Sequence, residues 1–244
     1  MSGGDWNTIT QSLITNASGG GVARMDNNAD HNTISLSTLT GSGSWSSVYF
    51  ISTASNTLSG NRVSNSGGSA LEFDTSARAN LVAFSTITTT AAGYAAAIFR
   101  ASTTTVESSY ISGSTAVIVS GSTGTVIRGS VLVATNTIGS ALALSDGSVN
   151  LTIATSTLLA PSQGRGLALN LNNTGVVTLG SVTFSGAARG IEISTQGANF
   201  SLAADSITFR GLASGATAIH FLGGTFVSTF TQANFEDATT GANV

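Results

Sequence analysis

The sequence repeats a short pattern at intervals of 21 to 28 residues, and this repeat restricts the possible folds more than any other feature. The clearest copy is the stretch 106–119, VESSYISGSTAVIV. It opens with an apolar residue, Val106, followed three places later by Ser109 and five places later by the apolar Ile111. Self-similarity at such a period is typical of repeat proteins, in which each unit packs on its neighbours.

Ten copies of the opening position, which we call the anchor, can be aligned, and every anchor is apolar. The anchors are Ile9, Ile34, Leu58, Val82, Val106, Ile127, Ile153, Leu179, Leu202 and Phe230. The residues five places later are also apolar: Ile14, Leu39, Val63, Ile87, Ile111, Leu132, Leu158, Phe184, Ile207 and Phe235. Most residues three places after an anchor are small and polar: Ser12, Ser37, Asn61, Ser85, Ser109, Ser130, Ser156, Val182, Asp205 and Ala233.

A second block follows in most units, in which a small residue precedes apolar residues that alternate with others. The clearest examples are 70–73, 116–119, 141–144, 166–169, 190–193 and 218–221. Alternation at a period of two residues predicts a β-strand with one face buried.

The first block predicts a bend. An anchor and the residue five places later have opposite parity, so one straight strand would place them on opposite faces. Both can face inward only if the chain turns between them. Each unit is then two short strands, a corner, a longer turn and a third strand. We therefore predict an all-β, single-stranded parallel β-helix of about ten coils, right-handed because parallel crossovers nearly always are. Residues 1–244 form a single β-helix domain, interpreted as a segment of a longer solenoid.

The column of residues three places after the anchors predicts a hydroxyl ladder. Its side chains should point inward beside the corner, where a buried hydroxyl needs a hydrogen-bond partner. The neighbouring coil or a carbonyl at the corner can supply that partner. Asn61 and Asp205 are interpreted as polar variants within this ladder.

The charge and cysteine content exclude several classes of function. Charged residues make up 8% of the chain, the net charge is −3, and all eight basic residues are arginine. This is unlike a nucleic-acid-binding protein, which needs a basic face. There is no cysteine, no metal-ligand cluster and no phosphate-binding loop in the sequence, so we expect no cofactor. No stretch is apolar enough for a transmembrane helix.

The repeated anchor-x-x-Ser-x-apolar pattern, the Ala/Gly-apolar-x-apolar block and the cysteine-free composition rich in Ser, Thr, Gly and Asn resemble a known family. They are similar to the right-handed parallel β-helix passenger domains of bacterial autotransporters and related secreted surface proteins. Residues 67–71, GGSAL, also resemble the glycine-pair motif of chlamydial polymorphic outer-membrane proteins. The resemblance implies an extracellular location at a bacterial cell surface and a role in adhesion or scaffolding.

One group of charged residues is a candidate ligand site. Arg165 and Arg189 each lie two places before the first apolar residue of the second block, in consecutive coils. Glu192 and His220 share one outward position, also in consecutive coils. Two arginines so close repel unless an anion lies between them, and Glu192 can be that anion. The group can bind an acidic sugar, or it can be a surface ion-pair cluster that contributes under about 1 kcal/mol per pair.

Three functions remain open. The first is a structural or adhesive surface module without catalysis, whose partner is a host surface or glycan. The second is a polysaccharide-binding or polysaccharide-degrading β-helix, although the acids are scattered and only a few, such as Glu72 and Asp74, form close pairs. The third is a filament subunit that stacks end to end with copies of itself, because neither end shows an obvious cap. If a cap exists, we expect it in residues 2–7 and 237–244.

Overall fold

A computed structural model of the chain describes residues 1–223 and 226–236, which form a right-handed parallel β-solenoid of about nine turns. The strands form three parallel sheets, and no helix occurs among the described residues. Two sheets have ten strands and the third has nine. Each complete coil therefore contributes one strand to each sheet, which confirms the predicted three strands per coil.

The first two sheets are joined by the tight corner of each coil. The first contains β1 (Thr8–Thr10), β4 (Thr33–Ser35), β7 (Thr57–Ser59), β10 (Leu81–Ala83), β13 (Thr105–Glu107), β16 (Thr123–Arg128), β19 (Val149–Ala154), β22 (Thr174–Gly180), β25 (Ser201–Asp205) and β28 (Val227–Phe230). The second contains β2 (Leu13–Asn16), β5 (Thr38–Gly41), β8 (Arg62–Asn65), β11 (Thr86–Thr89), β14 (Tyr110–Gly113), β17 (Val131–Ala134), β20 (Thr157–Leu159), β23 (Thr183–Ser185), β26 (Ile207–Arg210) and β29 (Ala233–Glu236).

The third sheet is built from the second block of each repeat. It contains β3 (Ala23–Met25), β6 (Val48–Ile51), β9 (Leu71–Asp74), β12 (Tyr94–Phe99), β15 (Thr115–Ser120), β18 (Ser140–Ser145), β21 (Arg165–Leu169), β24 (Arg189–Ile193) and β27 (Thr217–Phe221). The apolar residues that face inward from the three sheets form one continuous core along the solenoid.

In the first nine coils the predicted bend lies two residues after the residue that occupies the anchor column, which is Ala204 in the ninth coil, and the backbone at the bend takes a left-handed conformation. Positive φ occurs at this position in nine coils: Gln11, Leu36, Gly60, Phe84, Ser108, Gly129, Thr155, Ser181 and Ser206. Leu36 and Phe84 adopt φ of 48° and 50° although they are not glycine, and their side chains are exposed. Because of this left-handed residue, the anchor and the residue five places after the anchor both face the interior.

The hydroxyl ladder is present along most of its predicted length. From Ser12 to Ser130, the backbone N–H of each ladder residue donates to the side-chain oxygen of the ladder residue in the next coil. For example, Ser37 N donates to Asn61 Oδ1 at 2.9 Å, and Ser85 N donates to Ser109 Oγ at 3.1 Å. The serine hydroxyl then donates to a carbonyl two residues earlier, as from Ser109 to Glu107 at 2.8 Å. Each buried hydroxyl is thus satisfied as both donor and acceptor.

The predicted register of the ninth coil is wrong by two residues. Leu179 pairs with Ala204 rather than with Leu202, and the position five places later is Phe209 rather than Ile207. A shift of two residues keeps every side chain on the same face of a strand, so alternation alone cannot distinguish the two registers. Ile207 instead occupies the ladder column, next to Val182, and Asp205 lies exposed outside the ladder.

A second ladder was not predicted, although its residues recur two places before the anchors of the first four coils. The ladder runs through Asn7, Asn32, Asn56 and Asn80, and the backbone N–H of each of the first three donates to the Oδ1 of the next asparagine, at 2.8 to 3.0 Å. Asn56 Nδ2 also donates to the carbonyl of Ala29 at 2.9 Å. These buried amides satisfy the backbone at the turn that leads back to the first sheet.

The small residue that opens the second block is required by packing against the second sheet. A Cβ added at Gly190 would lie 2.3 Å from the ring of Phe209, and one at Gly166 would lie 2.6 Å from Phe184. Phe184 and Phe209 are themselves stacked with their centroids 5.2 Å apart. The large rings of one sheet therefore fill the space that the small residues of the other leave.

No helix in the described part of the chain is long and apolar enough to cross a membrane. At the first coil, Trp6 stacks on His31 with ring centroids 4.4 Å apart, within and beside the 2–7 segment predicted as a possible cap. Residues 237–244, the other predicted cap, lie outside the described residues.

Candidate functional site

The outward face of the third sheet carries the predicted ligand-site residues at one end and a second group of polar side chains at the other. One column of this face runs through Arg24, Tyr49, Glu72, Ala97, Ile118, Ala143, Ala168, Glu192 and His220. Its two ends are polar and charged, and its middle is apolar. Glu72 and Glu192 are five strand spacings apart in this column, or about 24 Å.

The structure brings together all four residues of the predicted ligand site, which we call the arginine cluster: Arg165, Arg189, Glu192 and His220. Arg165 pairs in register with Arg189, and Glu192 pairs with His220. Arg165 Nε donates to Glu192 Oε1 at 2.5 Å, and Arg189 Nη1 lies 2.7 Å from Oε2. His220 Nδ1 lies 3.5 Å from the same Oε2.

Burial within the arginine cluster is uneven. Glu192 is 5% exposed, whereas about a third of the surface of each arginine side chain reaches solvent. Oε2 of Glu192 and Nδ1 of His220 make no hydrogen bond of good geometry within the described residues. One buried carboxylate thus faces two guanidinium groups, so the cluster carries an excess positive charge at its surface. Such an arrangement can hold a further anion.

A cleft near the other end of the same face was not predicted. Its walls are Ser44, Trp45, Ser46, Tyr49, Ser69 and Glu72, and we call it the Trp45 cleft. Its volume is about 380 Å³, and a second depression of about 280 Å³ adjoins it on the side of Arg24. Trp45 lines both depressions and is 60% exposed.

Stacked loops hold the Trp45 cleft in place. Asn65 is buried, and its Nδ2 donates to the carbonyls of Trp45 at 2.7 Å and Ser69 at 2.8 Å. A Cβ at Gly67 or Gly68 would lie 2.5 to 2.6 Å from the backbone of the preceding loop, at residues 42–44. The glycine pair of the GGSAL motif therefore allows two loops to stack directly, and the fixed loop presents the indole outward.

The pKa values of Glu72, in the Trp45 cleft, and of the nearby Asp74 are shifted in opposite directions. Burial raises the pKa of Glu72, and the hydroxyl hydrogen bond from Ser46 only partly offsets this effect. Burial alone would also raise the pKa of Asp74, but hydrogen bonds from Arg100 and Thr75 outweigh it and hold that pKa below its ordinary value. Burial and the neighbouring Asp74 carboxylate raise the pKa of the Tyr49 phenol to about 12.

The sequence indicated Glu72 and Asp74 as a close pair of acids, but it did not indicate the cleft. Trp45 lies in a loop without periodicity, and Tyr49 lies one coil earlier than Glu72, so their proximity depends on the coil register. Elsewhere on the solenoid, Glu107 pairs with Arg128 across adjacent strands of the first sheet, and the two side chains form an ion pair.

No protein-family model matches the sequence, and no curated protein matches it. Several solved structures are similar in fold. The catalytic domain of Agl-KA has a TM-score of 0.61 at 12% identity, with 95% of this chain and 55% of that chain covered. The surface protein and adhesin PfbA of Streptococcus pneumoniae has a TM-score of 0.41 at 9% identity, with 93% and 81% covered.

A mutant tailspike protein of E. coli bacteriophage HK620, solved in complex with a pentasaccharide, has a TM-score of 0.47 at 11% identity. It is covered to 59%, and this chain to 96%. At these identities the likeness concerns the fold. The solved structures that share this fold include tailspikes, adhesins and glycoside hydrolases. The chain spans little more than half of the Agl-KA domain.

Proposed function

We propose that the chain is a structural and adhesive β-helix module of a secreted or cell-surface protein, a segment of a longer solenoid, and that it binds an acidic glycan at the arginine cluster. The observation that carries this proposal is the sharing of one buried carboxylate, Glu192, by the guanidinium groups of Arg165 and Arg189. Within the described residues, the cluster thus has more positive than negative charge.

The guanidinium groups also have hydrogen-bond donors to spare. Each has five N–H donors in a planar fork that matches a carboxylate. Arg165 uses Nε on Glu192 and Nη1 on the carbonyl of Ile138, at 3.2 Å. A uronic or sialic acid carboxylate can accept the remaining N–H groups at the surface, while Glu192 keeps both side chains oriented.

Polysaccharide cleavage is the competing function, and the opposite pKa shifts of Glu72 and Asp74 favour it. The contacts of Asp74 argue against it. One carboxylate oxygen of Asp74 accepts from Arg100 and Thr75, and the other accepts from Tyr49 at 3.1 Å. A carboxylate so fully occupied is poorly placed to activate a water molecule, so we propose binding without catalysis.

Binding to polygalacturonate and to neutral dextran tests the proposal. We expect the chain to bind polygalacturonate, and the affinity to fall with salt because the contacts are charged and exposed. The double variant Arg165→Gln/Arg189→Gln should weaken binding about tenfold or more, which is about 1.4 kcal/mol. That variant leaves the buried Glu192 carboxylate without its two arginine partners. The triple variant, which adds Glu192→Gln, also removes this buried charge and should therefore be more stable than the double variant.

Arg128→Gln is the matched control, because Arg128 is an exposed arginine in an ion pair on a different sheet. It should bind polygalacturonate like the unmodified chain. Equal binding by the triple variant would contradict an acidic-glycan site at the arginine cluster.

A further inference from the structure

The Trp45 cleft combines three features: a formed cavity, an exposed indole and a half-buried carboxyl group. We propose that this cleft is a second ligand site, which binds a neutral sugar ring of a glycan. The proposal does not depend on the arginine cluster, which lies about 24 Å away along the same face.

The indole supplies the apolar half of such a site. A pyranose ring has a face of C–H groups and a rim of hydroxyls. Aromatic rings carry a negative face, which attracts polarised C–H groups and offers a large, rigid contact area. Trp45 is 60% exposed, yet Asn65 donates a hydrogen bond to its backbone carbonyl. Because the backbone is already held, binding a ligand to the ring should cost little conformational entropy.

The polar half of the site surrounds the indole. Ser44, Ser46 and Ser69 offer hydroxyls, and Glu72 offers a carboxyl group, and each of these can hydrogen-bond to a sugar hydroxyl. The cavity of about 380 Å³ falls in the range of small-molecule sites, which are typically apolar with a few converging polar groups.

The charges around the cleft select a neutral ring over an acidic one. Arg24 pairs with Asp26 at 2.9 Å, and Arg100 pairs with Asp74 at 2.7 Å. Glu72 bonds to the Ser46 hydroxyl, and no arginine or histidine in the described residues forms an ion pair with it. Each of these arginines is thus balanced by a carboxylate, so the cleft carries no excess positive charge for a sugar carboxylate, in contrast to the arginine cluster.

The two tryptophans of the chain allow a direct test. Trp6→Phe leaves Trp45 as the single tryptophan and keeps an aromatic ring against His31. This variant is titrated with four neutral probes, namely maltohexaose, cellohexaose, laminarihexaose and mannohexaose. We expect at least one probe to shift the emission of Trp45 to shorter wavelength and to protect it from acrylamide quenching. Absence of both effects for all four probes would overturn the proposal.

Calorimetry with the active probe then assigns the site. Trp45→Ala should weaken binding about tenfold or more, and Trp6→Ala, which removes another exposed tryptophan, should leave it unchanged. Far-UV circular dichroism confirms that both variants are folded. The arginine-cluster triple variant should keep its full affinity for the neutral probe. Loss of neutral binding in that variant, or equal binding by Trp45→Ala, would contradict a separate site at Trp45.

Discussion

The Trp45 cleft and the arginine cluster occupy equivalent backbone positions at opposite ends of one sheet face. In both, a glutamate on the outward column accepts a hydrogen bond from the residue that lies three places before the aligned strand position in the preceding coil. The equivalent pairs are Ser46 and Arg165, Ser69 and Arg189, and Glu72 and Glu192.

The same backbone thus carries two different chemistries. Where the flanking positions hold serine, burial raises the pKa of Glu72, and no arginine or histidine of the described residues forms an ion pair with its carboxyl group. Where they hold arginine, Glu192 is surrounded by positive charge. The coil-to-coil register fixes which side chains meet, and the outward residues then set the charge of each group.

The largest effect that separates the two sites should be on stability. Glu192→Ala leaves Arg165 and Arg189 facing each other without an anion, and we expect the free energy of unfolding to fall by about 1–3 kcal/mol. Glu72→Ala removes a carboxyl group without a cationic partner and should cost less than about 1 kcal/mol. Urea denaturation measures the free energy of unfolding of both variants, and equal losses of stability would contradict the difference between the two environments.

A smaller effect should appear in the pH dependence of stability. The pKa of Glu72 is raised in the folded state, so the folded chain binds this proton more tightly than the unfolded chain. The contribution of Glu72 is therefore favourable below the ordinary value of 4.5 and is lost as the pH rises through the higher folded value. Glu72→Gln should be more stable than the unmodified chain at neutral pH, and this advantage should vanish in acid.

Thermal denaturation at several pH values checks this sign. The matched variant is Glu192→Gln, in which the neutralised group faces two arginines rather than a serine. It should be less stable than the unmodified chain at neutral pH. The same sign for both variants at neutral pH would contradict the assigned difference in environment.

No effect is expected in a cleavage assay. Incubation with acidic and neutral polysaccharides should release no shorter products, since the carboxylate of Asp74 is occupied by its own hydrogen-bond donors. Chromatography of the digests measures this outcome. Products that disappear with Glu72→Gln, Glu192→Ala or Arg189→Ala would instead make the face an active site.

The sequence was sufficient to predict the fold and the arginine cluster because both depend on periodic positions. Arg165, Arg189, Glu192 and His220 lie at fixed offsets within the second block, so the aligned repeats placed them in adjacent coils. The alignment was wrong in the ninth coil, where Leu202 was assigned as the anchor although Ala204 occupies that position. Both residues face inward on one strand, so either one fits the pattern. The left-handed corner at Ser206 decides between them, and alternation does not reveal it.

The Trp45 cleft could not be predicted in the same way. Trp45 lies in a loop of variable length, where the repeat gives no position. Its orientation depends on Asn65 in the next coil and on the close stacking that Gly67 and Gly68 allow. The asparagine ladder, in contrast, is periodic and could have been found by examining the positions before each anchor.

We propose that one sheet face carries two separate sites, which bind ligands of different charge. Titration calorimetry tests it most directly, with polygalacturonate and the active neutral oligosaccharide each measured against Trp45→Ala and the triple variant Arg165→Gln/Arg189→Gln/Glu192→Gln. We expect a crossed result, in which the triple variant loses only the acidic ligand and Trp45→Ala loses only the neutral one. Added salt should lower the affinity for the acidic ligand and leave the affinity for the neutral ligand unchanged. Loss of both ligands in either variant, or of neither in both, would contradict the claim.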